Sequence, residues 1–581
     1  MADEAGSAVG YTQGQALRKE LENKVQSLKT LRQPFESHFQ DLADHMLPRR
    51  LRLNEREKEG AKINQKIIDP TGTYALRTCA SGMMAGITSP ARPWFRLTTA
   101  NKQLREDNEV KAYLGETEMV LRERFQHSNL YNAMHTGYAD SALFGTSVAV
   151  VNQHPKFFMN TTQLLMGEYW IGCDDIGLID TVAIRQPLTV HQVVAKYVFN
   201  GNPYAKPQWD RVSKRIKNLW DKDQYNRDTL TVWQCIYPRM ERDGRLYRAD
   251  NKPIASVHWL DGGGDEKTAG VLRNSGFDEN PIIADRWDVM GSDFYGRSPG
   301  MDVLPDLRML MVEQRYKGEA IQRNVRPTMI APTALEGMMP SMLPGVTIYS
   351  DTPDGVKPAY EVNTRISELS EDIKDVQERV REGLYANLFN MISSLDRREI
   401  TAREIDERHE EKLIGLGPVL ERVHFERLNR LIDRAYAMAD RAGILPPVPR
   451  KLRGEEIKVE YISMLAQAQK AVATGGIERL WAFAGNLAAI DQTILDKLDG
   501  DQTLDEYAEM LGVPTTIIVP DGKVAERRQQ RSQQVQASQA AAMAKETMPA
   551  VKQGAEAAAT LAEADKDGNV RDLLTRIGLS P

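Results

Sequence analysis

The sequence predicts an α+β chain, mostly helical, and three observations carry that expectation. In "TRISELSEDIKDVQERVREGLYANLFNMISSLD", Ile366, Leu369, Ile373, Val376 and Val380 alternate at spacings of three and four, and Leu384, Leu388, Ile392 and Leu395 follow in steps of about four. This is one apolar seam on a helix over 363–395, wrapping slowly around its axis. In "TARE", the Thr401 hydroxyl accepts from the Glu404 N–H while the Glu404 carboxylate accepts from the Thr401 N–H, a capping box that opens a second helix over 401–443. Between about 145 and 290 the period instead falls to two, in segments rich in β-branched and aromatic residues.

In chain order, residues 1–14 are small and polar, a flexible start. Leu17, Leu21, Val25, Leu28 and Leu31 mark a helix from about Gln15 that Pro34 should interrupt, and "FESHFQDLADHMLP" is a second piece ending at Pro48. His38, Asp41 and His45 have a helical spacing that a metal could use, but Phe35, Phe39, Leu42 and Met46 share the helix and no third convincing ligand accompanies them. Residues 49–62 read as a solvated loop. The small residues Ala75, Ala80, Ser81, Gly82, Ala85 and Gly86 predict a closely packed helix over 71–86, and "SPARPW" a turn anchored by Trp94. Helices follow at about 109–126 and 131–143.

The β-rich module contains "TSVAVV", "LIDTVAIR", "TLTVWQCIY", "PIASVHWL" and "PIIADRWDV", with a helical, exposed insert at "YAKPQWDRVSKRIKNLWDKDQYNRD". Its "DGGGDE" is a loop between strands rather than a phosphate cradle, because no helix pattern follows. Ser298 and Pro299 open a helix to about Asn324, Pro being tolerated in a first turn. That helix is roughly 36 Å long and the one over 364–395 roughly 48 Å, so both can line one shaft. Between them "VTIYSDTPDGVKPAYEV" is a hairpin candidate turning at 351–355, with Pro358 marking an edge strand that could pair with a neighbouring copy. Gly417 and Pro418 predict a bend in the helix after Thr401, whose apolar positions are Ile405, Leu413, Leu416, Leu420, Val423, Leu428 and Leu431. Residues 455–515 read as short Ala-rich helices, and the tail after Lys523 as low-complexity, helix-prone chain.

Composition bounds the chemistry. A chain of 581 residues needs several domains or one elongated subunit. No apolar run reaches the roughly 18 residues that span a bilayer, and the N-terminus "MADEAGSAVG" has no signal-peptide pattern, so a soluble protein assembled in the cytoplasm is expected, with no membrane partner. Cys79, Cys173 and Cys235 show neither paired nor metal spacing and read as reduced core residues. With 75 basic and 81 acidic residues the net charge is −6, so DNA, if a partner, is not gripped hard. No G-x-x-x-x-G-K-[ST] loop is present, so a nucleotide-driven motor of that type is not expected. Asp285, Asp288, Asp293, Asp302 and Asp306 suit a two-metal nuclease, but they also straddle a turn and a helix N-terminus, where carboxylates meet the dipole favourably.

The segments "DPTGTYALRTCASGMMAGITSPARPWFRL", "FYGRSPGMDVLPDLRML" and, after Thr401, "LGPVLERVHFERLNRLIDRA" resemble the head-to-tail connector (portal) proteins of short-tailed bacteriophages, a likeness spread over roughly residues 15–465. The resemblance implies an elongated subunit with wing, stem, clip and crown, in a homododecameric ring around an axial channel at one vertex of the virion's capsid. It maps the wing to 1–297, stem helices to 298–324 and 363–395, the clip to 325–362, a tunnel loop to 396–400, a long wing helix to 401–443 and the crown to 455–520. The tail, 521–581, is a barrel or flexible.

It further implies a structural protein without catalytic activity or cofactor. Such a ring nucleates head assembly with major capsid and scaffolding proteins, docks the terminase large subunit (the packaging ATPase), passes double-stranded DNA without reading its sequence, and holds tail adaptor or nozzle proteins. Arg397 and Arg398 would then form a collar of guanidinium groups on the channel. The seam from Ile366 is expected to be covered by an adjacent copy. The shaft carboxylates Glu361, Glu368, Glu371, Asp372, Asp375, Glu378 and Glu382 outnumber Arg365, Lys374, Arg379 and Arg381, so the wall would repel DNA and let it slide. Two rival readings are a metal-dependent nuclease built on the aspartates of 285–306 and an internal virion scaffold.

Overall fold

A computed structural model describes residues 11–53, 62–105, 107–202, 204, 206–225, 229–243, 246–262, 269–325, 329–330, 357–358, 366–395, 415–462, 477, 479–487, 497–510, 519 and 524–536. They fall into two compact units, 1–483 and 484–581.

Helix α1, Tyr11–His45, is continuous. Pro34 removes one ladder donor without interrupting it. On one side of the proline Arg32 donates to the Tyr169 carbonyl at 2.7 Å and to Glu36, and on the other Phe35 packs on Phe39 and Tyr295. Tertiary contacts outweigh the missing bond. Leu21, Val25 and Leu28 are buried as the stripe requires, whereas Leu31 is exposed.

What α1 covers is one face of a five-stranded antiparallel meander: β4 (Tyr169–Cys173), β5 (Ile179–Thr189), β6 (Thr229–Pro238), β7 (Ile254–Leu260) and β8 (Val271–Phe277). Alternation puts Trp170, Ala183, Trp233, Cys235, Val257 and Trp259 on that face, where they form one core with Leu21, Val25 and Leu28. Within the insert between β5 and β6 lies a short helix, Lys214–Lys222, whose Ile216 is buried in a satellite core, so the insert is not simply exposed. Gly262, at φ 78, lies in the β7–β8 connection.

A three-stranded sheet has β2 (Thr146–His154) between β3 (Phe158–Gln163) and β9 (Ile282–Arg286). Thr146–Val151 are buried, as a largely apolar run predicts, and β9 is buried throughout although it carries Asp285 and Arg286. Helices α2 (Thr71–Ile87), α3 (Asn108–Gln126) and α4 (Leu130–Phe144) share the main core with these strands. The stretch after Pro48 is tied down where it is described: Arg50 pairs with Asp140, Arg52 with Glu168 at 3.0 Å, and Leu51 bridges Met166. All three cysteines are free, and burial pushes the Cys79 and Cys235 thiols up to about 12, so both are inert.

The region expected to hold only short helices contains a strand, Ile457–Tyr461, paired antiparallel with Phe95–Thr99. Its "IKVEY" alternates with period two, a signal that the Ala-rich flank obscured. Lys357–Pro358 pairs with Met329–Ile330, while the hairpin turn expected at 351–355 lies outside the described residues. In the second unit, helix Gly500–Met510 receives an Asp499 cap, and Arg528, within a helical stretch over 524–536, pairs with Asp501 at 2.6 Å.

Candidate functional site

Helix α5, Pro299–Val325, and helix α6, Ile366–Gly383, pack side by side, because the seam beginning at Ile366 meets Leu310. Ile373, Val376 and Val380 are 3%, 0% and 0% exposed within a single chain. The expectation that an adjacent copy covers this seam is therefore wrong: α5 of the same chain already does. Close approach is required at Gly383, where a Cβ would stand 2.4 Å from Val303 Cγ1.

Asp69 fastens the pair to α2. Its carboxylate accepts from the Thr71 N–H at 2.8 Å, Gln314 Nε2 at 2.7 Å and Gln377 Nε2 at 2.8 Å. Burial raises its pKa, but the bonds from Thr71, Gln377 and Gln314 outweigh burial and hold it below the ordinary value. Arg379 reaches Asp306 at 3.3 Å.

The helix over 363–395 is not continuous. Tyr385 adopts φ 57 and redirects the chain into a separate helix, Ala386–Leu395. A left-handed non-glycine residue costs about 1–2 kcal/mol, and packing on both sides offsets it. Leu384 is buried and the Tyr385 ring lies 5.9 Å from Trp287. Phe389 presses on α2 at Gly82, where a Cβ would lie 2.1 Å from its Cγ. Beyond the turn, Leu388 and Phe389 belong to the core that includes α2.

Arg397, Arg398, Thr401 and Glu404 lie outside the described residues. The chain is described again at Gly415. Gly417 and Pro418 occupy the first turn of helix Gly417–Arg422, which runs through a π-helical turn, Val423–Leu428, into helix Asn429–Arg441. Leu416, Leu420, Val423, Leu428 and Leu431 are buried. This last helix ends in a Schellman motif, with the Ile444 N–H donating to Ala439 O, the Gly443 N–H to Asp440 O, and Gly443 at φ 63.

The π turn brings two adjacent charged residues, Glu426 and Arg427, to the inner side. Arg427, 1% exposed, pairs with Asp285, 0% exposed, and donates to Ser147 Oγ at 3.0 Å. Its guanidinium sits where a side chain on Gly137 would stand, a Cβ there lying 2.1 Å from Nη2. Burial raises the Asp285 carboxyl pKa while the Arg427 charge opposes it. Beside this pair Arg286 holds Glu426 at 2.8 Å, and Arg434 and Arg441 both pair with Glu279.

This buried arginine frame clamps the helix over 417–441 to β9, and sequence reasoning missed it. The arginines of "FERLNRLIDRA" look identical whether solvated or buried. Their one legible sign is the interleaving of charge with the apolar positions. The rival two-metal reading of the aspartates in 285–306 also meets this frame. Asp285 belongs to Arg427, Asp293 lies near Arg297 at 3.3 Å, and Asp306 meets Arg379. Among the described residues no group of His, Cys, Asp or Glu is arranged to hold a metal, and His45 Nδ1 contacts the Asp41 carbonyl at 2.7 Å. No described helix is long and apolar enough to cross a membrane.

A family model described as "Bacteriophage head to tail connecting protein" matches residues 18–519. The chain is 38% identical over 531 residues to the "Portal protein" of Salmonella phage epsilon15, covering 90% of this chain and 93% of that one. It is also 38% identical over 555 residues to the "Probable portal protein" of Bordetella phage BPP-1, covering 95% and 96%. Among solved structures it aligns with a chain of the "Virion of native gene transfer agent (GTA) particle" at a TM-score of 0.35 and 13% identity, covering 77% of this chain and 90% of that one.

Proposed function

The chain belongs to the bacteriophage head-to-tail connecting protein family, and from that premise we propose that it is the portal of a short-tailed phage. Its role is structural: a ring at one capsid vertex that nucleates the head, docks the packaging motor, passes DNA in and out, and attaches the tail. The observation that carries this reading is the 38% identity to portal proteins along nearly the whole chain. The wing corresponds to 1–297 with 401–443, the stem to 298–324 and 363–395, the clip to 325–362 and the crown to 455–520. Twelve copies follow from the family resemblance.

Because the seam of α6 is buried within the subunit, neighbouring copies meet through another surface. The outer side of α5 suits this, since Met309, Val312 and Tyr316 recur three and four apart and are 42%, 44% and 59% exposed. On α6 the carboxylates Glu371, Asp372, Asp375, Glu378 and Glu382 are exposed, and Arg381 is engaged by Glu378. A wall of that sign repels a polyanion, leaving Arg397 and Arg398 of the tunnel loop as the brief, sequence-independent contact.

The test has two arms. Native mass and electron micrographs of the purified chain should give closed annular oligomers, and a monomer at every concentration would end the portal reading. Particles carrying Arg397→Ala with Arg398→Ala should assemble but package or retain less DNA. Unchanged packaging, retention and release would remove the collar while leaving the ring.

A further inference from the structure

We propose that the basic insert between β5 and β6 docks into the acidic groove beside the β4–β5 turn of a second copy of this chain, a head-to-tail contact separate from that of α5. This rests on the portal reading and names a pair of surfaces which that reading leaves open. The two features cannot meet within one chain. The groove lies at the start of β5 and the insert leaves its end, and the 11 residues of Ile179–Thr189 span about 36 Å. A contact between two different surfaces of identical molecules is heterologous, the kind that generates rings.

The groove, about 1100 Å³, has room for several side chains rather than one small molecule. One wall is the turn Asp174–Leu178. Asp174 Oδ1 accepts from the Ile176 N–H at 3.1 Å and the Leu178 N–H at 2.7 Å, and Arg286 Nη2 donates to the Gly177 carbonyl at 2.6 Å, so Ile176 is held outward at 72% exposure. From the other wall, the helix over 417–428, Glu421 and Phe425 line the groove, and Phe425 is 57% exposed. Large apolar groups left in the open within a polar rim mark an interaction site. Much of the rim's charge is engaged: Asp174 by its turn, Asp293 near Arg297, and Glu426 by Arg286 and Arg422. Asp175 and Glu421 are exposed and have no ion pair among the described residues. Burial lowers His424 beside them to about 4, so its imidazole adds no charge near neutrality.

The insert has the opposite sign. Residues 206–225 carry Lys206, Arg211, Lys214, Arg215, Lys217 and Lys222 against Asp210, Asp221 and Asp223, in a chain whose net charge is −6. Ile216, with Leu219 beside it, fixes helix Lys214–Lys222 to its satellite core and leaves Arg215, Lys217 and Lys222 exposed. Lys217 Nζ lies 5.7 Å from the Trp209 ring, and Arg215 and Lys222 have no ion pair among the described residues. Tyr225 stacks on His191 at 5.8 Å yet is 79% exposed, an aromatic group of the kind that anchors interfaces. Exposed ion pairs contribute little singly. Across a contact that every copy repeats, they set register and choice of partner.

The experiment uses the full chain and native mass measured across a range of concentration. Arg215→Glu with Lys222→Glu should raise the concentration at which annular oligomers form by on the order of tenfold, and so should Asp175→Lys with Glu421→Lys. Mixed in equal amounts, the two reversed chains should close again, because the insert of each meets a groove of opposite sign on the other and copies alternate around an even-numbered ring. Should a reversed chain fail to fold, Arg215→Gln with Lys222→Gln carries the comparison, with a smaller rise and a weaker dependence on salt than the unaltered chain. Rings at the unaltered concentration in these variants, or folded reversed chains that do not recover on mixing, would overturn the docking and leave the portal reading in place. An unaltered chain that forms no ring would remove that reading and the docking with it.

Discussion

Replacing Asp285 by alanine probes the buried arginine frame directly. The Asp285 and Arg427 side chains are 0% and 1% exposed, so the substitution leaves a guanidinium without its counterion and with no route to water. Ser147 Oγ at 3.0 Å remains as a neutral acceptor, and the Tyr138 ring, 5.5 Å from the guanidinium carbon, adds a weak cation–π contact. Removing one partner of such a pair costs about 3–5 kcal/mol. At about 1.4 kcal/mol per decade that is roughly two to nearly four powers of ten in the local opening equilibrium.

The assay is hydrogen exchange on the intact assembly, because a single global unfolding energy is poorly defined for a chain this long. Amides of β9 and of helix Asn429–Arg441 should lose protection by that factor, while those of the second unit, 484–581, should not change. Asp285→Leu with Arg427→Met removes both charges and should fall between neutral and about 1–4 kcal/mol more stable. A loss under about tenfold for Asp285→Ala, or a double variant as damaged as the single one, would falsify the claim that an uncompensated charge is the source of the cost.

Three further outcomes follow from the geometry. Gly82→Ala forces a Cβ against Phe389 and should lower stability by about 1–3 kcal/mol, read as a fall in melting temperature. Asp69→Ala strands Gln314, Gln377 and the Thr71 N–H and should cost about 1–3 kcal/mol, read as faster exchange on the facing sides of α5 and α6. Glu118 accepts from the Leu97 N–H at 2.6 Å, and burial raises its pKa from 4.5 to about 7. A raised carboxyl pKa means that the folded state holds the proton more tightly. Stability contributed by this group therefore grows as pH falls from about 7 toward 4.5 and disappears above 7. Glu118→Gln should flatten melting temperature against pH across that window, and an unaltered slope would refute the assignment.

Periodicity made much of the architecture legible. The helices near 71–87, 108–126, 130–144 and 299–325 and most strands of the β module stand where apolar spacing, Pro and Gly place them. Local signals failed where tertiary contacts decide. Pro34 passes through a helix because Arg32 and Phe35 are anchored on either side of it. The seam after Ile366 was read correctly as apolar, but its partner was misjudged, since no spacing says whether the complementary face is in the same chain. The turn at Tyr385 gave no sign, because tyrosine is an unusual occupant of a left-handed position. Arg427 and Asp285 stayed hidden because residue type does not distinguish a buried charge from a solvated one. Asp285 drew notice only among five aspartates weighed as a two-metal site, and the structure gives it to Arg427.

The pairing of Phe95–Thr99 with Ile457–Tyr461 has a consequence in time. On the ribosome the earlier strand emerges long before its partner, and at about 5–20 residues per second the wait is roughly 20–70 s. For that interval Phe95 and Leu97, both buried in the finished subunit, lie along an open edge. Nascent chains on one message are thus at risk of cross-pairing with each other. A host chaperone acting during synthesis, or slow growth at low temperature, should raise the yield of soluble subunits more than any change made after release.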